Sequence, residues 1–179
     1  MKMCPVLILL GLVSSLLLAG CAPSTSPSNT AAVQTIPEAE KAKYLLATEP
    51  AGAKGILAVR KEIKDGGDVL IVGRVGGSLK PLVAGRAAFT IVDLSLTPCN
   101  EKAGDECPTP WDYCCDAPDE IAKASAMIKF VDEQGKTLQH DAGDLLGVKP
   151  LQTVVVRGKA KRDEDGNLTV VATGLYVRR

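Results

Sequence analysis

The sequence predicts a mainly β fold with five principal strands, preceded by one or two short helices. From Asp68 onward, runs rich in Val, Ile and Thr alternate with short segments rich in Gly and Asp, which is the sequence pattern typical of strands joined by turns. Before Asp68 there are only two segments with helical character, and both are short. The 179-residue chain has no internal repeat of fixed period.

A helical lead-in is predicted over residues 35–66. Thr35 is placed to cap a helix over Pro37–Ala47, and acidic residues in its first turn favour the positive end of the helix dipole. A second helix follows Pro50. Its imperfect apolar stripe consists of Ile56, Leu57, Val59 and Ile63, and Asp65-Gly66-Gly67 ends it.

The predicted strands are Asp68–Gly76, Arg86–Leu94, Ala124–Val131, Leu151–Lys161 and Leu168–Val177. Gly73 predicts a bulge or bend within the first strand. After the third strand, a turn at residues 132–135 leads to Lys136–His140, and Asp141–Val148 has room for about two helical turns. The last two strands form a hairpin across the turn at residues 163–166.

This order of elements over residues 67–179 resembles the OB-fold, a small five-stranded Greek-key barrel. The segments VLIVGRVGG and VVVRGKAKRDEDGNLTV look like the first strand and the last hairpin of such barrels. The resemblance implies a closed sheet in which glycine lets a strand coil sharply. A different small β-sandwich or an α+β domain is the alternative.

The N-terminal segment predicts export and lipidation. Lys2 precedes an apolar run, Val6–Leu18, that is shorter than the roughly 20 residues needed to span a bilayer. The motif Leu18-Ala19-Gly20-Cys21 then resembles the lipobox of bacterial lipoproteins. The resemblance implies that residues 1–20 are a signal peptide and that Cys21 carries diacylglycerol and an amide-linked acyl chain such as palmitate. An ordinary secretory signal is the alternative.

Residues 21–34 are small, polar and rich in Pro and Ser, which predicts a flexible tether between the lipid and the folded domain. Ala22 after the cysteine implies sorting to the outer membrane, with the domain facing the periplasm. Removing residues 1–20 takes away Lys2 and no acid, so 21 basic and 21 acidic residues become 20 and 21. A near-neutral exported chain makes nucleic acid an unexpected partner.

Residues 97–118, TPCNEKAGDECPTPWDYCCDAP, carry the four remaining cysteines, with spacing C-x7-C-x6-C-C. We call this segment the cysteine-rich loop. In an oxidising envelope an even number of cysteines favours two disulfides. Two pairings are open, because a bond between neighbouring Cys114 and Cys115 is strained: Cys99–Cys114 with Cys107–Cys115, or Cys99–Cys115 with Cys107–Cys114. The alternative is a zinc or copper site made by the same four thiolates.

The loop also holds Trp111, Asp112 and Tyr113, which are the predicted binding surface because aromatic residues on a rigid support suit protein or small-ligand contacts. The expected partners are the membrane, through the lipid, and an envelope protein or a small ligand. No residue pattern nominates a catalytic site, and no cofactor other than the alternative metal is expected. The sequence therefore predicts a lipid-anchored binding or scaffold protein rather than an enzyme.

Overall fold

In the computed structural model, the described residues are 36–104 and 106–179. The predicted signal peptide, Cys21, the tether and the predicted cap Thr35 lie outside them. The strands are β1 Lys54–Gly55, β2 Asp68–Val75, β3 Ala88–Val92, β4 Ser125–Phe130, β5 Thr153–Arg162 and β6 Leu168–Val177. The α-helices are α1 Glu38–Lys41, α2 Ile56–Glu62, α3 Pro118–Ala124 and α4 Ala142–Leu146. Two 3-10 turns, Cys99–Glu101 and Pro110–Asp112, lie in the cysteine-rich loop.

Five strands close into a barrel in the order β2-β3-β4-β6-β5, with β5 pairing back to β2. Strands β4 and β6 run parallel, whereas the other neighbouring pairs of the barrel are antiparallel. This closed mixed barrel confirms the predicted fold class, a mainly β chain with a small OB-like barrel and a few short helices. Closure leaves the barrel strands without a free edge along their paired segments.

The barrel interior follows from the period-2 pattern of the strands. In β4 the side chains of Ala126, Ile128 and Phe130 are buried, and the residues between them are partly exposed. Strand β2 is buried over most of its length because it pairs on both sides and is also covered by α2. The largest fully buried core side chains include Phe89, Phe130, Ile71, Ile91, Ile128 and Leu175.

The sequence predicts a bulge or bend at Gly73, and no bulge interrupts the β2–β5 ladder there. Strand β2 pairs with β5 through Gly73 without a register shift, and the irregularity lies instead between Arg157 and Gly158 of β5. Gly73 is needed for close approach, since a Cβ atom there would lie 2.8 Å from the carbonyl oxygen of Val92. Gly158 is tighter still, because its Cβ would lie 2.3 Å from the carbonyl oxygen of Val171.

The helix predicted over Pro37–Ala47 is shorter than expected, because α1 covers only Glu38–Lys41. The chain then leaves the helix to pair with β6: Leu46 N donates to the carbonyl oxygen of Leu175 at 2.7 Å, and Leu175 N donates to that of Tyr44 at 2.7 Å. These backbone bonds to the barrel replace the next helical turn. The second helix is confirmed as α2.

Asp93 connects α2 to the barrel. The residue follows β3, and its carboxylate accepts hydrogen bonds from Leu57 N at 2.9 Å and Ser95 N at 3.0 Å. It thus caps the first turn of a helix that carries no side-chain cap of its own. Gly55 leaves room for this contact, since its Cβ would lie 2.7 Å from an Asp93 carboxylate oxygen.

The connection between β4 and β5 matches its prediction in part. Helix α4 forms within the predicted segment and ends at Gly147 in the left-handed conformation. The segment Lys136–His140 forms no strand of its own. Thr137 makes an isolated bridge with Val131, and Leu138 makes backbone hydrogen bonds with Phe130 and Ala87. Helix α3, which follows the cysteine-rich loop and begins at Pro118, was not predicted from the sequence.

Candidate functional site

The cysteine-rich loop lies against the end of β2. Gly77 N donates a hydrogen bond to the carbonyl oxygen of Trp111 at 2.8 Å. A Cβ atom on Gly76 would lie 2.6 Å from that oxygen and 2.9 Å from the ring of Tyr113, so only glycine leaves the loop room to dock. The two glycines therefore form the seat of the loop on the barrel.

Tyr113 lies beneath the loop rather than on its surface. Its side chain is fully buried, so its predicted role as an exposed contact residue is wrong. The residue adopts φ 59°, a left-handed conformation that turns its side chain inward between Trp111 and Cys114. Burial raises the pKa of the Tyr113 hydroxyl, and the charge of Arg74 partly offsets that rise.

Arg74 of β2 also pairs with the first half of the loop, since its Nη1 lies 3.1 Å from Glu101 Oε1. One arginine on the barrel thus faces both Glu101, beside Cys99, and Tyr113, beside Cys114. The sequence offered no signal for this role, because Arg74 reads as an ordinary outward residue of a strand. Lys102 adds a contact within the loop, with its Nζ 2.9 Å from Asp116 Oδ1.

The sulfur atoms of Cys99, Cys107 and Cys114 lie close together. The Sγ atom of Cys114 lies 3.9 Å from that of Cys99 and 3.6 Å from that of Cys107. Both separations exceed an S–S bond of about 2.05 Å. Together with one carboxylate oxygen of Asp112, the three sulfurs lie within 4.8 Å of one another. Cys99 is buried, Cys107 and Asp112 are half-buried, and Cys114 is exposed.

Cys115 is not a member of this group, although the sequence placed all four cysteines together. The two short sulfur contacts share Cys114, and they come from different predicted pairings. The geometry therefore does not select either two-disulfide pattern. Sharing hydrogen bonds with Cys107 and Cys99 raises the pKa of the Cys114 thiol, because both neighbours interact favourably with its protonated form.

Asp112 is oriented by two donors inside the loop. Cys114 N donates to Asp112 Oδ1 at 3.0 Å, and the Thr109 hydroxyl donates to Asp112 Oδ2 at 2.8 Å. The Thr109 oxygen also lies 3.8 Å from Cys107 Sγ. Sequence reasoning missed Thr109, although a Thr three residues before an Asp at the start of a turn is a familiar local bonding pattern.

Trp111, like Asp112, is half-exposed. Its Nε1 donates to the carbonyl oxygen of Leu79 at 3.2 Å. The Leu79 side chain is 61% exposed, the highest value among the exposed large apolar residues of the described chain. We call Trp111 and Leu79 together the loop surface. His140, the single histidine, lies elsewhere, with its Nε2 3.8 Å from Glu40 Oε1.

Comparison with known proteins adds no family. No protein-family model matches the chain, and no curated protein matches it significantly. Among residues 36–104 and 106–179, none of the helices has the length and apolar character required to cross a bilayer.

Proposed function

We propose that this chain is a lipid-anchored protein of the bacterial cell envelope that presents the cysteine-rich loop as a rigid binding surface. The proposed partner is an envelope protein or a small ligand. The observation that carries the proposal is the seating of the loop on the barrel through Gly77 N and the Trp111 carbonyl oxygen, 2.8 Å apart. This seat leaves the Trp111 ring half-exposed beside Leu79.

The loop surface suits recognition for two reasons. Tryptophan at the centre of a contact carries much of the binding energy in known interfaces, because its ring buries a large apolar area. A loop already fixed by Arg74, Tyr113 and Gly77 also loses little conformational entropy when a partner binds. The partner is expected to contact Leu79 and Trp111 together.

The anchor follows from the lipobox at Leu18-Ala19-Gly20-Cys21, and residues 21–34 provide the reach from the lipid to the domain. Replacing Cys21 with Ser should abolish incorporation of labelled palmitate and leave an unprocessed precursor. Cys4→Ser is the matched control, because Cys4 lies within the predicted signal peptide and should leave both lipidation and processing intact. Palmitate on the Cys21→Ser protein would contradict the anchor.

The loop surface is tested with a photoreactive amino acid placed at Leu79 in living cells. We expect a discrete crosslinked adduct that disappears when Trp111 is also replaced with Ala. Leu57, an exposed leucine on α2 at 37% exposure, is the matched control position. The same adduct from position 57, or one from position 79 that survives Trp111→Ala, would count against this surface.

A further inference from the structure

We propose that the cysteine-rich loop binds one divalent metal ion that favours thiolate ligands. The preferred ion is zinc, and its ligands are Cys99, Cys107, Cys114 and Asp112. The inference goes beyond the proposed binding surface and stands whether or not that surface has a partner. It also differs from the four-thiolate site considered from the sequence, because Asp112 takes the place of Cys115.

The sulfur separations fit a tetrahedral ion. Zinc–sulfur bonds of about 2.3 Å at the tetrahedral angle hold two sulfurs about 3.8 Å apart. The observed separations from Cys114 are 3.9 Å to Cys99 and 3.6 Å to Cys107. A disulfide would use only one of these two contacts of Cys114, whereas a metal ion uses both at once.

The fourth ligand is held ready by its surroundings. Both oxygens of Asp112 accept a hydrogen bond, one from Cys114 N and one from the Thr109 hydroxyl. A carboxylate oxygen can accept more than one contact, so these donors orient the group in a way that is compatible with metal ligation. Ligating carboxylates in metal sites are commonly fixed by such outer contacts.

The donor set selects the kind of metal. Three thiolates favour a soft or borderline ion, and a carboxylate oxygen favours a divalent ion over Cu(I), which gains little from oxygen ligands. Three thiolates and one carboxylate around a 2+ ion leave a net charge of 2−. Lys102, whose Nζ lies 2.9 Å from Asp116 Oδ1, supplies positive charge within the same loop.

The arrangement also explains the chain connectivity of the site. Cys99 lies in the first 3-10 turn, whereas Asp112 and Cys114 lie in and just after the second, so the ion joins the two halves of the loop. On the barrel side, Arg74 pairs with Glu101 in the first half of the loop, and Gly77 N bonds to the Trp111 carbonyl oxygen in the second half. A bound metal and the barrel would therefore each hold both halves of the loop.

The test uses the full lipidated chain in detergent micelles, reduced and stripped of metal, then loaded with zinc and separated from free ion. We expect one retained zinc ion per chain by elemental analysis. Loading with Co²⁺ instead should give the visible bands of a tetrahedral site and thiolate-to-metal charge-transfer bands for three sulfurs. Failure to retain zinc, or octahedral cobalt bands, would overturn the proposal.

Variants assign the ligands. Cys114→Ser and Cys107→Ser should each weaken zinc binding by at least about 100-fold, and Asp112→Asn by about 10-fold or more. Cys115→Ser is the matched control and should leave the affinity within about twofold. Since Cys99 is fully buried, its replacement risks misfolding, so far-UV circular dichroism of every variant accompanies the titration. A Cys115→Ser variant as impaired as Cys114→Ser would overturn the assignment.

Thiol counting separates the metal from the disulfide alternative. If the proposal holds, chains isolated without reductant contain zinc, and chelation exposes three additional thiols to alkylation. Chains that instead contain disulfides and no metal in their envelope location would overturn it. If the Trp111→Ala variant retains zinc but loses the photo-adduct at position 79, then metal binding is independent of partner binding at the loop surface.

Discussion

The barrel and the cysteine-rich loop reach defined structures by different means. Barrel strands satisfy their backbone groups in continuous ladders, and alternating apolar side chains fill the interior. The described part of the loop contains two short 3-10 turns and is held by a few specific contacts to β2. A ladder distributes stability over many residues, whereas a docked loop concentrates it in a few. A substitution in the barrel should therefore destabilise barrel and loop together, whereas a substitution in the loop should affect mainly the loop.

The largest effect is expected from Phe130→Ala in β4. Phe130 is fully buried, and its ring contacts that of Tyr44 edge-on at a centroid distance of 5.4 Å. The cavity should lower the free energy of unfolding by about 3–5 kcal/mol and weaken barrel and loop together. Urea denaturation followed by circular dichroism measures this loss. A loss no larger than that of Leu57→Ala, an exposed control, would contradict the prediction.

Gly76→Val should act on the loop and spare the barrel. The new Cβ would lie 2.6 Å from the Trp111 carbonyl oxygen, so the loop must shift at a cost of about 1–3 kcal/mol. Hydrogen exchange at Gly77 N should accelerate, while exchange in β5 and β6 stays slow. Gly143→Ala in α4 is the control, because a Cβ there meets only ordinary contacts at 3.5 and 3.7 Å. Unchanged protection of Gly77 would refute the proposed seat.

Asp93 lies where the barrel passes into the segment leading to the loop, and it should show a pH-dependent effect. Burial alone would raise its pKa, but the N–H donors, chiefly Leu57 N, outweigh burial and hold the pKa below its ordinary value. A depressed folded-state pKa stabilises the protein above the ordinary carboxyl range and loses that contribution as pH falls through the folded-state value.

Asp93→Asn should therefore lower the free energy of unfolding by about 1–2 kcal/mol at neutral pH. The difference from the unsubstituted protein should shrink as pH falls below about 4. Urea titrations at a series of pH values measure it. A difference that stays constant or grows toward acid pH would show that the Asp93 charge contributes nothing to the cap.

The smallest effect is expected from Arg74→Met. The Arg74–Glu101 pair is partly exposed on the glutamate side, so its loss should change stability by about 0.2–1 kcal/mol. The effect should be confined to the loop and visible as faster hydrogen exchange at Lys102 N, which bonds to the carbonyl oxygen of Cys99. Lys123→Met, which breaks an exposed pair with Asp119, should leave this exchange unchanged.

Strand positions were predictable from sequence because side-chain burial and strand pairing both follow the two-residue repeat of a β-strand. The segments containing β2, β4, β5 and β6 were all identified from alternating or continuous β-branched runs. The first helix was overestimated, since its local propensity could not reveal that Tyr44 and Leu46 would bond to Leu175. Gly73 was recognised as special, but its clash partner, Val92 O, belongs to another strand.

The cysteine-rich loop was recognisable from composition, yet its internal arrangement was not. Its cysteines and aromatic residues are easily recognised in the sequence. Where the chain forms no regular helix or strand, however, residue periodicity does not predict which side chains point inward. Whether Tyr113 or Trp111 faces solvent depends on one left-handed backbone conformation and on the space above Gly76. For the same reason, sequence grouped Cys115 with the other cysteines, and only the fold brings Asp112 to them instead.

The sequence by itself determined the order of the strands and the presence of a cysteine-rich loop between the second and third barrel strands, because these depend on local patterns of residue type. The motif at residues 18–21, which resembles a lipobox, predicts a membrane anchor. Tertiary structure alone decided that β5 closes on β2, that Tyr113 is buried, and that Cys99, Cys107, Asp112 and Cys114 meet. The closure of β5 on β2 joins residues far apart in the chain, and the arrangement inside the loop depends on its irregular turns and its docking on β2, so neither follows from a repeating local pattern.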